Sequence, residues 1–241
     1  MSKSKIMVGL VLLVYISFVA FQFNSSNYFA ASLDAILLPL ITLTYFINNP
    51  KPELFFSLFL ICYSIADLIG LSAKFDNDFI PYSYYYYIGN GVYIVAYLVL
   101  LVKILRSLSF LHIIKNFKLH IIVLMGLNVY IAYVLQVIVN PYVEMTNEYF
   151  VEIIYNVSML LVLSSSLLAY FYKDDRKSLF MFLGSLAIVF SEVIGVAYMY
   201  VDQQNLLNFI STSLTLLAFY FYCQQSSFNN EEINQFHQIN N

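Results

Sequence analysis

The chain has 241 residues, 61% of them hydrophobic and only 10% charged, with a net charge of −3. A soluble domain of this size carries about a quarter charged residues, so the composition excludes an ordinary water-soluble globule and points to a membrane protein. No basic patch with interleaved aromatics occurs, and a nucleic-acid partner is excluded with it.

Eight apolar segments are long enough to cross a hydrocarbon core of about 30 Å, which takes about 20 helical residues. They run over residues 5–23, 28–47, 54–73, 83–105, 119–139, 150–172, 178–200 and 205–223. Short connections rich in turn-forming residues separate them, among them "FNSSN", "NNPKPE", "YKDDRK" and "VDQQN". The expected fold is all-α, a polytopic eight-helix membrane bundle in one domain over residues 1–225. Residues 226–241 form a polar tail with too little apolar content to fold. The apolar run after "MSKSK" is long for a signal-peptide core, which predicts a retained first helix. Cys62 and Cys223 each fall inside an apolar segment, far apart in sequence, and read as free thiols.

With the N-terminus in the cytoplasm, ten of the eleven basic residues fall on the cytoplasmic side and Lys74 alone lies outside. That asymmetry predicts cytoplasmic N- and C-termini. Direction then fixes depth, at about 1.5 Å per residue. Asp67 in "SIADLIG" (third segment) and Glu192 in "FSEVIG" (seventh) both come out about 10 Å below the outer surface, as does Asp34 in the second. Asn90, Tyr155, Asn156, Asn208 and Ser211 fall within a few Å of the same layer, and Ser191 precedes Glu192.

An Asp at a membrane-helix centre costs roughly 2.5–3.5 kcal/mol on insertion scales, and such residues face a bundle interior or a wet cavity. The layer therefore predicts one polar chamber opening toward the outer leaflet, with the Asp67 and Glu192 carboxyls facing it. Asn90, Asn156, Asn208 and Ser211 fit hydrogen bonds that hold helices together. Pro39 in "LLPLI" is expected to bend the second helix. Gly70, Gly89, Gly91 and Gly195 are expected to allow close packing. "PYSYYYY" (residues 81–87) reads as an aromatic belt at the outer interface.

The histidines are His112, His120 and His237, all away from the acid layer. A Ser-His-Asp triad, an H-E-x-x-H zinc site and a His-based metal cage are thereby excluded there, and no cofactor is expected. Two carboxyls remain, ringed by hydroxyls and amides. If adjacent, they could share one proton. One carboxylic acid beside one carboxylate suits acid-catalysed cleavage of an acid-labile bond. It equally suits proton-coupled transport or lipid binding without covalent chemistry.

The eight-helix plan, "LLPLI" in the second helix, an S-x-x-D acid late in the third, "IG" early in the fourth and a Ser-acid pair in the seventh resemble the YhhN-like lysoplasmalogenase family of membrane proteins. The resemblance implies a multi-pass protein of a bacterial plasma (inner) membrane. It also implies hydrolysis of the vinyl ether bond of a lysoplasmalogen or related ether lysolipid, with membrane lipids as partners. By position, Asp67 and Glu192 correspond to the family's acids and would be catalytic. Asp34, Asn90, Tyr155, Asn156, Ser191 and Asn208 would then contact substrate. The chain departs from the family at Asp34-Ala35, where Lys-Pro is usual, and at Val95, where a His is usual.

Overall fold

The computed structural model describes residues 3–24, 27–75, 80–143 and 147–228. These form α1 (Lys3–Phe23), α2 (Asn27–Asn48), α3 (Leu54–Phe75), α4 (Tyr82–Arg106), α5 (Phe110–Asn116), α6 (Lys118–Val143), α7 (Asn147–Lys173), α8 (Arg176–Tyr200) and α9 (Asn205–Ser227), with no strand among the described residues. Eight of the helices are long and apolar enough to cross a membrane. A helix satisfies its own backbone groups where no water can. Large apolar side chains also cover the outside, including Leu13 and Ile16 on α1 and Ile122, Met125 and Val129 on α6. Water would penalise such a surface, whereas lipid tails match it.

All eight expected segments recur as helices. The short α5, unforeseen in the sequence, occupies the connection between α4 and α6. The bulk of the polar tail, residues 229–241, lies outside the described residues. Helix α2 is continuous through Pro39, and α6 runs past Pro141 to Val143, several residues beyond its expected end.

The helices α1 to α4 pack as successive neighbours. α4 then packs on α7, α7 on α8, α8 on α9, and α9 returns against α1 and α2. This ring leaves α6 outside, against α7 and α8. Lipid supplies no hydrophobic drive between helices, so association depends on close packing and interhelical hydrogen bonds. Both are present. Thr42 and Ser64 join α2 to α3 at 2.7 Å, and Tyr15 and Ser213 join α1 to α9 at 2.8 Å. Asn128 and Ser164 exchange hydrogen bonds of 2.8 and 3.0 Å, tying α6 to α7.

The middle of the bundle is aromatic. Phe59 stacks on Phe219 at 5.6 Å between centroids, and Tyr63 and Tyr222 meet the pair edge-on. Tyr222 fits because residue 184 is glycine: a Cβ there would lie 2.6 Å from the ring carbons Cδ1 and Cε1. A buried ring cannot swing aside as a flexible chain end can. Gly184→Ala should therefore lower stability by about 1–3 kcal/mol, the usual cost of overpacking. Thermal unfolding in detergent checks this, and an unchanged midpoint would mean that the ring has room to move. At Gly195 a Cβ would lie 3.4 Å from Ser211 Oγ, in keeping with close packing, whereas at Gly70 and Gly91 that expectation is corrected. A Cβ at Gly70 or Gly91 would meet nothing within 4 Å, and at Gly89 only Ile69, at 3.7 Å. Cys62 and Cys223 are free thiols.

Candidate functional site

A cavity of about 540 Å³ enters the bundle at one end, walled by the N-terminal halves of α2, α4, α7 and α9 and the C-terminal halves of α3 and α8. Its shape follows from one-turn spacings. Asp67 and Gly70 repeat along one face of α3, Tyr86, Asn90 and Tyr93 along α4, and Glu192, Gly195 and Met199 along α8; all line the cavity. Gly70 and Gly195 keep the wall thin beside each acid.

Each acid on the described wall of α3, α7 and α8 is held by tyrosine. Tyr93 of α4 donates its hydroxyl to Asp67 Oδ1. Tyr63 and Tyr97 donate to Glu192 Oε1 at 2.9 and 3.0 Å, and Tyr155 also hydrogen-bonds this carboxyl. Tyr86 donates to Glu152 Oε1 at 2.7 Å. The rings brace one another, with Tyr63 edge-on to Tyr93 at 4.8 Å and Tyr97 edge-on to Tyr155 at 5.6 Å. Asp34 and Glu192 both interact electrostatically with Asp67.

The structure thus brings Asp34, Asp67, Asn90, Ser191, Glu192 and Asn208 to one cavity. Several of them are committed to the bundle. Ser191 donates to the Ser211 carbonyl at 2.7 Å and lies 2.6 Å from Thr215 Oγ1, clasping α8 to α9. Asn208 donates to Gln22 Oε1 at 2.8 Å, joining α9 to α1. The Asn90 amide donates to the Tyr86 carbonyl of its own helix. Tyr155 stands behind the wall, reaching the site through Glu192. Asn156 is placed elsewhere: it is buried off the cavity lining, and its Nδ2 has no partner among the described residues.

Sequence reasoning missed Glu152 and the tyrosines Tyr63, Tyr86, Tyr93 and Tyr97. A signal was present. Tyr86, Asn90, Tyr93 and Tyr97 are spaced four, three and four apart, one helical stripe, and Tyr63 sits one turn before Asp67. Within "PYSYYYY", Tyr84 and Tyr87 are exposed, as an aromatic belt requires, whereas Tyr85 and Tyr86 line the cavity.

Among the described residues, no three His, Cys, Asp or Glu side chains are grouped to hold a metal ion. The cavity can bind a cation or stabilise a developing positive charge. No protein-family model, no curated protein and no solved structure matches this chain.

Proposed function

We propose that the chain is a membrane hydrolase that cleaves the vinyl ether bond of a lysoplasmalogen or related ether lysolipid within this cavity. The observation that carries the reading is the charge of the wall. Its described lining holds Asp34, Asp67, Glu152 and Glu192 and no Lys, Arg or His. Vinyl ether hydrolysis passes through an oxocarbenium ion, and fixed negative charge stabilises the transition state that leads to it.

In this mechanism Asp67 is the general acid. Its proton adds to the vinyl β-carbon, and the π electrons leave the α-carbon and ether oxygen sharing a positive charge. Glu192 faces that cation and takes a proton from the water that adds to the α-carbon. The resulting hemiacetal collapses to a fatty aldehyde and the free glycerol hydroxyl, and one water is consumed overall. Tyr93 positions Asp67, and Tyr63 and Tyr97 position Glu192, each by a single hydroxyl. The aromatic layer of Phe59, Tyr63, Phe219 and Tyr222 lies beneath the cavity, which favours one-sided access over the transport of a substrate through the bundle.

The cavity faces outward, and the opposite end, which carries Lys103, Arg106, Lys173, Arg176 and Lys177, faces the cytoplasm with both termini, in accord with the positive-inside rule. Single cysteines at 112 and 175, introduced after removal of Cys62 and Cys223, should be shielded from an impermeant thiol reagent in intact cells, and one at 203 should react. Labelling at 175 but not 203 would invert the orientation. Positions 77, 146 and 235 bear on the same expectation but lie outside the described residues.

A further inference from the structure

A second pocket, about 230 Å³, lies at the basic end of the bundle, where the start of α3, the ends of α4, α7 and α9 and the start of α8 meet. Ligand pockets for drug-sized molecules run to roughly 300–1,000 Å³, so this one suits a single small group. We propose that it binds a phosphate monoester group, supplied either by a lipid headgroup or by a soluble phosphate, through Lys103, Lys173, Lys177 and Gln225.

Charge, burial and donor chemistry agree. Three lysines line the pocket against two carboxylates, Glu53 and Asp175. Asp175 caps α8, accepting the Ser178 N–H at 2.7 Å, and its charge also acts on Lys173, so the pocket keeps a net excess of one positive charge. The Lys103 side chain is only 9% exposed, and its ammonium lies 3.1 Å from Glu53 Oε2. An ammonium carries three N–H groups, and this ion pair leaves some of them for a further acceptor. Gln225 is 1% exposed, and its Nε2 has no acceptor among the described residues. A buried donor without a partner is costly. A phosphate oxygen would satisfy it, and a phosphate presents acceptors to the three ammonium groups beside this amide. The pocket is at the opposite end from the acidic cavity and does not depend on the hydrolase reading.

The test uses the full chain in phosphatidylcholine nanodiscs. One arm titrates inorganic phosphate and glycerol phosphate and follows thermal stability; the other incorporates phosphatidic acid and follows lipid retention by native mass spectrometry. Each lysine near a membrane surface should contribute about fivefold in affinity, so K173Q with K177Q should weaken binding by more than tenfold. Q225L, which removes the orphan donor at similar size, should weaken it while leaving the empty protein at least as stable. Both variants keep Lys103, whose loss could unfold the bundle. Response to the soluble phosphates assigns a soluble ligand, and retention of phosphatidic acid alone assigns a lipid headgroup; either upholds the site. Failure of every probe to bind, or equal binding by both variants, overturns it.

Discussion

Asp67→Asn should abolish cleavage of a vinyl ether lysolipid and leave the bundle folded. Asn is nearly isosteric, and its carbonyl oxygen can still accept the Tyr93 hydroxyl that now bonds Asp67. Removing a membrane-embedded carboxyl also relieves its insertion cost, so thermal stability should hold or rise. A general acid contributes roughly 10²–10⁴ in rate, which makes the expected loss of turnover far larger than any change in folded fraction. Aldehyde release and thermal unfolding, measured on the same preparation, separate the two effects. A variant that loses stability and keeps activity in proportion to its folded fraction would make Asp67 a structural residue.

Glu192 should divide by substitution. Glu192→Gln retains an oxygen for the Tyr63 and Tyr97 hydroxyls at 2.9 and 3.0 Å. It removes the negative charge that faces the cation, so turnover falls steeply while the fold persists. Glu192→Leu removes their carboxylate acceptor and leaves the two hydroxyls a single long contact with each other, 3.4 Å apart. Membrane hydrogen bonds average only about 0.6 kcal/mol in double-mutant cycles, but orphaning a buried polar group costs about 1–3 kcal/mol. The second figure applies to Tyr97, which is fully buried and off the cavity lining, whereas Tyr63 borders the cavity. The Leu variant should therefore unfold well below both the parent and the Gln variant. Equal unfolding of Leu and Gln variants would show that the tyrosine cage contributes little to stability.

Long apolar runs made the helices legible, since their length and charge pattern leave one solution in a bilayer. Height along the bundle was legible too: counting residues puts Asp34, Asp67 and Glu192 at one level, and they share one cavity. Neighbour relations were not. Nothing in the local pattern says that α4 packs on α7 while α6 stands outside the ring, and that contact sets Tyr86 against Glu152. Asn156 follows Glu152 by one turn on the same face of α7 yet lies off the cavity lining, because counting residues does not say how far the cavity reaches into the bundle. Gly184, which admits the Tyr222 ring, was indistinguishable from the other glycines until its partner helix was known. Tyrosine is common in this chain, with 22 copies, and its abundance hid the stripe on α4 that holds the acids.

The most direct test of the hydrolase reading is hydrolysis of a lysoplasmalogen by the purified protein in deuterated water, with the aldehyde product analysed by mass spectrometry. Proton donation to the vinyl β-carbon predicts one non-exchanged deuterium per fatty aldehyde, on the carbon next to the carbonyl, in samples quenched before enolisation. The Asp67→Asn protein should release no aldehyde above background. Folded wild-type protein that releases none, or equal release by both proteins, would contradict the assignment of this cavity to vinyl ether hydrolysis.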